Sequence, residues 1–214
     1  MMIYLSLVMT AAVVALLVAE YADSRAGVWV AKLLAATTFV GTAIAAGALS
    51  HPYGRWILAG LVLSWFGDVF LIPREKPALF RIGILSFLLA HVAYAVAFVG
   101  LGLAATWTGA AAILFVAAGL PVGRWLAPKI PDELSAAAYA YMAVITVMVV
   151  CAAGAVPAAG AAVFVGAFGF YLSDLSVALD RFVEASFVHR LWGLPLYFGS
   201  QMVLAFTTAT VGVS

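Results

Sequence analysis

Charged residues in this chain fall almost entirely in short breaks, and between the breaks run eight apolar stretches of about 20 residues. They cover approximately residues 3–20, 29–49, 55–72, 78–102, 107–126, 134–152, 159–179 and 191–212. A helix needs about 20 mostly apolar residues to cross the hydrocarbon core of a bilayer. The pattern predicts an all-α membrane protein, a compact bundle of eight transmembrane helices. The breaks are short, such as Asp23-Ser24-Arg25, His51-Pro52-Tyr53-Gly54, Gly154 to Gly160 and Asp180 to Arg190. Short connections make consecutive helices antiparallel neighbours. No linker separates two domains and no internal repeat stands out, so a single domain over residues 1–214 is expected. Abundant Gly and Ala on the stretches suit close helix packing in lipid.

Composition agrees. Of the 214 residues, 67% are hydrophobic and 9% charged, and mean hydropathy is +1.18. A soluble domain is roughly 45–50% apolar and about 25% charged. A soluble enzyme and a disordered chain are both excluded, because each needs far more polar surface. A net charge of +1 offers no basic patch for nucleic acid. The single cysteine, Cys151, lies in an apolar run and reads as a small buried hydrophobe. No Lys or Arg precedes Arg25, so residues 3–19 are read as a retained first span rather than a cleaved signal.

The charges set an orientation. With eight spans, both termini share a side. The opposite connections hold Arg25, Arg74, Lys76, Arg81, Arg124, Lys129, Arg181 and Arg190, with Lys32 at the mouth of the second span; the terminal side holds Arg55 alone. The positive-inside rule places the basic connections in the cytoplasm and both termini outside it. The expected location is the bacterial cytoplasmic (inner) membrane.

Polar residues at depth carry the functional signal, because an ionisable group inside a membrane is costly. Asp68 lies six residues before Arg74, roughly 9 Å below the cytoplasmic boundary, and Asp174 seven before Arg181, about 10 Å below it. Two carboxylates on different spans thus reach similar depth from one face. If they meet, they share a proton, and one can donate while the other accepts from water. The alternative is two separately neutralised acids, with Lys32 and Arg181 as possible partners.

The fourth stretch reads Gly83-x3-Phe87-x3-His91-x2-Tyr94, spacings that put these residues on one helix face. Tyr197 and Gln201 stand four apart on the eighth. They are candidates for orienting water or substrate; interhelical hydrogen bonding is the plainer role. Lys32 either holds an anion or snorkels to the interface. Glu20, Asp23, Asp132 and Glu133 are read as solvated loop charges, and Trp29, Trp107 and Trp192 as interface anchors. The histidines His51, His91 and His189 lack metal-ligand spacing, and no cofactor motif appears.

The same residues carry a resemblance. Trp65-Phe66-Gly67-Asp68-Val69-Phe70-Leu71, the Gly83-to-Tyr94 block, Phe170-Tyr171-Leu172-Ser173-Asp174 with Ala178-x2-Arg181-Phe182, and Tyr197-x3-Gln201 resemble, in order and spacing, the motifs of the YhhN family of lysoplasmalogenase-type membrane proteins. The resemblance implies hydrolysis of the vinyl ether bond of a lysophospholipid, giving a fatty aldehyde and a glycerophospho-base, without a metal. It implies catalysis by Asp68 and Asp174. Lys32, His91, Tyr94, Ser173, Tyr197 and Gln201 would bind or orient substrate, with the phosphate near Lys32, Arg74 or Arg181. The implied partners are the lysophospholipid and the bilayer, with no nucleic acid and no obligate protein partner. Two other readings use the same acids. An intramembrane aspartyl protease usually has a Gly-x-Gly-Asp setting, whereas Trp65 stands two before Gly67 here. A proton-coupled small-solute transporter usually shows inverted repeats and broken helices.

Overall fold

The computed structural model describes residues 1–73 and 75–211. Eight long helices follow one another: α1 (Met2–Tyr21), α2 (Arg25–Ala45), α3 (Pro52–Leu71), α4 (Pro77–Val99), α5 (Ala105–Leu126), α6 (Asp132–Ala159), α7 (Ala161–Phe182) and α8 (Phe187–Thr207). Two short 3-10 turns, Ala48–Ser50 and Ala127–Lys129, join them, and the described residues contain no strand.

Seven of the eight helices, α1 through α7, are long and apolar enough to cross a membrane. The expected eighth span exists as a helix, but α8 falls outside that group. The reason is its content: His189, Arg190, Ser200, Gln201 and Thr207 dilute its apolar residues. α8 packs on α7, α2, α1 and α3, and Ser200, Gln201 and Thr207 are buried in the interior. A helix shielded by neighbours can carry polar side chains that a lipid-facing one cannot. The outer surface is apolar instead, with Ile3, Leu7, Val18, Ile113 and Leu114 exposed. The chain is a multi-pass membrane protein.

Helix boundaries differ from expectation where caps decide them. α2 begins at Arg25, not 29, because the Ser24 side chain accepts the Gly27 N–H at 3.3 Å. It ends at Ala45, not 49, just before Gly47 turns into the left-handed region at φ 88°. α6 continues through the expected break at Gly154 and Pro157 and stops at Gly160, whose φ is 83°. α7 runs on to Phe182 and α8 starts at Phe187, capped by Ser186, so Asp180, Arg181 and Arg190 are helical rather than in a loop.

Close approach of two helix pairs shapes the interior. A Cβ at Gly67 would stand 2.5 Å from the Phe87 ring, so α3 meets α4 there only because residue 67 is glycine. A Cβ at Gly193 would collide with the Ser176 side chain, and α7 meets α8 by the same device. Both contacts lie beside the acids.

Candidate functional site

A cavity of about 510 Å³ lies among the ends of the helices that carry the basic connections. Its apolar wall includes Phe80 and Ile84 of α4, Leu126 of α5, Leu134 and Met142 of α6, and Leu194 of α8. Its polar lining includes Glu20, Lys32, Asp68, Asp174, Asp180, Arg181 and Arg190. Both aspartates thus reach one cavity, from the last turn of α3 and from the C-terminal half of α7.

Asp68 is only 2% exposed. Its Oδ1 lies 3.3 Å from the Lys32 ammonium, and its Oδ2 accepts a 2.7 Å hydrogen bond from the Tyr197 hydroxyl. Both oxygens therefore face donors, as a buried polar group requires. The Tyr197 ring is held by Phe39, Phe87, Phe170 and Phe198 at centroid distances of 4.7–6.3 Å. Those contacts fix where its hydroxyl points.

Asp174 has a different environment. Its Oδ2 accepts from the Tyr141 hydroxyl at 3.0 Å and stands 3.3 Å from His91 Nε2. The latter distance is within ion-pair reach, yet Nε2 is off the line a hydrogen bond needs and has no other partner. His91 is fully buried; its Nδ1 lies 2.7 Å from the Phe87 carbonyl. Its imidazole is tilted against Phe170 at 4.3 Å and meets the edge of Tyr141 at 5.4 Å.

Among the described residues no hydrogen bond or ion pair joins Asp68 to Asp174 directly; each acid has its own partners. The two acids stand as separate hydrogen-bonded arms facing a common cavity. Lys32 takes the partner role the sequence allowed it. Arg181 does not pair with Asp174: its guanidinium sits 4.1 Å over the Phe80 ring.

Other expectations sort out. Ser173 is buried beside the cavity, with its hydroxyl donating to the Phe170 carbonyl at 2.8 Å. Tyr94 and Gln201 are drawn away from the acids. The Tyr94 hydroxyl donates to Gln201 Oε1 at 2.6 Å, and Gln201 Nε2 donates to Ser64 Oγ at 3.1 Å. Neither lines the cavity, so they tie α4, α8 and α3 together in the way interhelical hydrogen bonds do. Glu20 is no solvated loop charge: its side chain is 8% exposed, at 3.4 Å from Arg190. Arg190 also lies 3.4 Å from Asp180. Glu133, by contrast, is exposed and pairs with exposed Arg81 at 3.1 Å. Arg74, a candidate for a headgroup phosphate, lies outside the described residues. Among the described residues no three or more His, Cys, Asp or Glu side chains gather as a metal site would require.

Tyr141 was missed by sequence reasoning. It stands nine residues into α6 from Asp132, about 14 Å along the helix. A hydroxyl at that depth on another span is the signal that finds it.

The fold and these paired arms define a class, the multi-pass membrane proteins with two acids facing one cavity. The YhhN family profile matches residues 27–208, and the chain belongs to that family. It is 30% identical over 164 residues to lysoplasmalogenase TMEM86A of Bos taurus and 32% identical over 164 residues to lysoplasmalogenase TMEM86A of Homo sapiens. Each match covers 73% of this chain and 66% of the relative, so the chain spans just under two thirds of their length. No solved structure matches significantly.

Proposed function

We propose that this protein hydrolyses the vinyl ether bond of alkenyl lysophospholipids, using Asp68 and Asp174 as an acid–base pair inside the membrane. The observation that carries the reading is the opening of both carboxyls onto one cavity with an apolar wall and a charged rim. A single-chain amphiphile suits that lining: tail along Phe80, Ile84, Leu134 and Met142, phosphate toward Arg181. The names of the mammalian relatives support the same chemistry.

A vinyl ether breaks when its β carbon is protonated. The C=C π electrons form the new C–H bond, leaving an oxocarbenium cation at the carbon bonded to oxygen. Water adds there and yields one proton to a base. The hemiacetal then collapses: its C–O bond to glycerol breaks, the glycerol oxygen takes up a proton, and the hydroxyl proton leaves as the aldehyde forms. Consumption of one water balances the sum. The cation resembles that of glycoside hydrolysis, which also uses two carboxyl groups.

In this reading all eight helices of residues 1–214 form one unit, with α8 as the eighth span. The basic connections face the cytoplasm, and substrate enters sideways from the cytoplasmic leaflet of a bacterial inner membrane. Lys32 acts through Asp68 rather than on phosphate. His91, Tyr141 and Tyr197 hold the carboxyls, and Ser173 packs beside them. The test is aldehyde release from an alkenyl lysophospholipid by the purified protein, beside its ester-linked counterpart. Aldehyde from the alkenyl lipid alone, absent in Asp68→Asn and Asp174→Asn, is expected; turnover by either variant refutes the paired-acid reading.

A further inference from the structure

We propose that the alkenyl chain of the substrate leaves the cavity sideways, through a window between α4 and α6, so that only its first carbons lie within the protein. This rests on the hydrolase reading above and deepens it by giving the chain a place.

Depth makes a side exit necessary. The cavity lining runs from Phe182 to Ser173 on α7 and from Leu134 to Met142 on α6, about 12–14 Å along the helices. Asp68 and Tyr197 are the deepest lining residues of α3 and α8, and Asp174 stands one residue from the deepest of α7. Both acids thus stand at the closed end. A chain that fills one leaflet is about 15 Å long, half the hydrocarbon core. With the phosphate at the mouth near Arg181 and the vinyl ether beside the acids, no depth remains for such a chain.

The other seams are closed or charged. α3 meets α4 tightly at Gly67 and Phe87, and α7 meets α8 at Ser176 and Gly193. α5 backs the seam between α6 and α7, with Phe115 against Phe168 and Tyr171 of α7 and Leu126 in the cavity lining. Toward α1, α2 and α8 the lining carries Glu20, Lys32 and Arg190, which an alkyl chain would desolvate at a cost.

The start of α6 differs. No residue from 132 to 144 is buried, yet Leu134, Ala137, Ala138 and Tyr141 line the cavity. Their spacing puts them on one helix face. Ala137 is both exposed and part of the lining, so it borders lipid on one side and the cavity on the other. α4 packs on α6 and presents Phe80, Ile84 and Phe87 to the same cavity, again on one face. The exposed Arg81–Glu133 pair spans the two helices at the mouth, at 3.1 Å. Deeper in, the His91 ring meets the edge of Tyr141 at 5.4 Å and closes the seam. From Arg81 to His91 is about 15 Å along α4. A chain passing between these two contacts meets apolar walls and then lipid, and Ala137 and Ala138 keep the α6 side of the slot shallow. The site then reads the headgroup and the first carbons, and the far end of the chain stays in the bilayer.

The test is photolabelling of the purified, full-length protein in phosphatidylcholine nanodiscs. The probe is a hexadecyl ether lysophosphatidylethanolamine with a diazirine a few carbons from the ether; its saturated ether offers no vinyl bond to cleave. Adducts are mapped by peptide mass, and those lost under excess unlabelled hexadecyl lysolipid are scored. They are expected on residues 77–89 of α4 and 132–144 of α6. In Ala137→Trp they fall at least about tenfold, since overpacking the slot costs more than one decade of affinity. Leu85→Trp, on the outer face of α4 at 55% exposure, adds the same ring outside the window and leaves them unchanged. Competed adducts confined to α1, α2 or α8, no competed adduct at all, or an equal loss in both tryptophan variants overturns the window. Aldehyde assays with an alkenyl lysolipid on the same samples separate the two claims. Aldehyde release with competed adducts elsewhere overturns the window alone. Competed adducts on α4 and α6 with no aldehyde leave the window standing and overturn the hydrolase reading.

Discussion

Replacing Lys32 by Met removes the one ammonium that faces Asp68 and keeps most of the side-chain volume. Asp68 is 2% exposed and the Lys32 side chain 12%, so water does little to replace the lost charge. Asp68 is left with the Tyr197 hydroxyl and, among the described residues, no cation beside it. Breaking one partner out of a buried pair costs about 3–5 kcal/mol. For a chain of this size that is a fall of roughly 10 °C or more in the unfolding midpoint. Removing both charges together, in Lys32→Met with Asp68→Asn, leaves no uncompensated charge and restores most of the loss. Asp68→Asn alone costs less than Lys32→Met, because the lysine stem lets its ammonium move toward the interface. The assay is thermal unfolding of the single and double variants in one detergent, read as a double-mutant cycle with a coupling of about 2–3 kcal/mol. Activity gives a second axis: on the proposed function, kcat falls far more than KM rises, since Lys32 faces Asp68. A double variant no more stable than Lys32→Met, or a Lys32→Met enzyme altered only in KM, refutes the pairing argument.

Further outcomes are expected. Asp68→Asn and Asp174→Asn each abolish aldehyde release in protein that elutes and melts as a folded species, seen by size exclusion and thermal unfolding. Arg181→Ala raises KM about tenfold with little change in kcat, because among the described residues its guanidinium makes no ion pair and is free to meet a phosphate. Tyr94→Phe leaves Gln201 without its donor and lowers stability by about 1–3 kcal/mol while kcat of the folded enzyme is kept. Gly67→Val drives a side chain into the Phe87 ring and costs about 1–3 kcal/mol or more, read as lost thermal stability.

Helices were legible because membrane solvent imposes a single rule on every lipid-facing turn, and the runs between charges obey it. α8 shows where that rule weakens. Its Gln201, Ser200 and Thr207 turn inward, so its sequence reflects neighbours rather than lipid. Boundaries were misplaced where a cap overrode a charge: Arg25 looked like a loop residue and is the first residue of α2. Depth along a helix located both aspartates, because rise per residue is fixed. Lateral partners were not legible, since no alignment of phase between helices follows from one sequence. Lys32 could thus be assigned to a phosphate when it faces Asp68, and Tyr141 passed unnoticed on α6. Tyr94 and Gln201 shared a helix face with His91 and Tyr197 yet form their own network with Ser64. One helical turn of distance was enough to separate a fold-holding pair from the acids.

The most direct measurement is aldehyde release from an alkenyl lysophospholipid by the purified protein in detergent. The ester-linked lysolipid, Asp68→Asn and Asp174→Asn are run beside it. The account predicts aldehyde from the alkenyl lipid only, and none from either variant. Folded protein that releases no aldehyde, or an aspartate variant that still does, contradicts it.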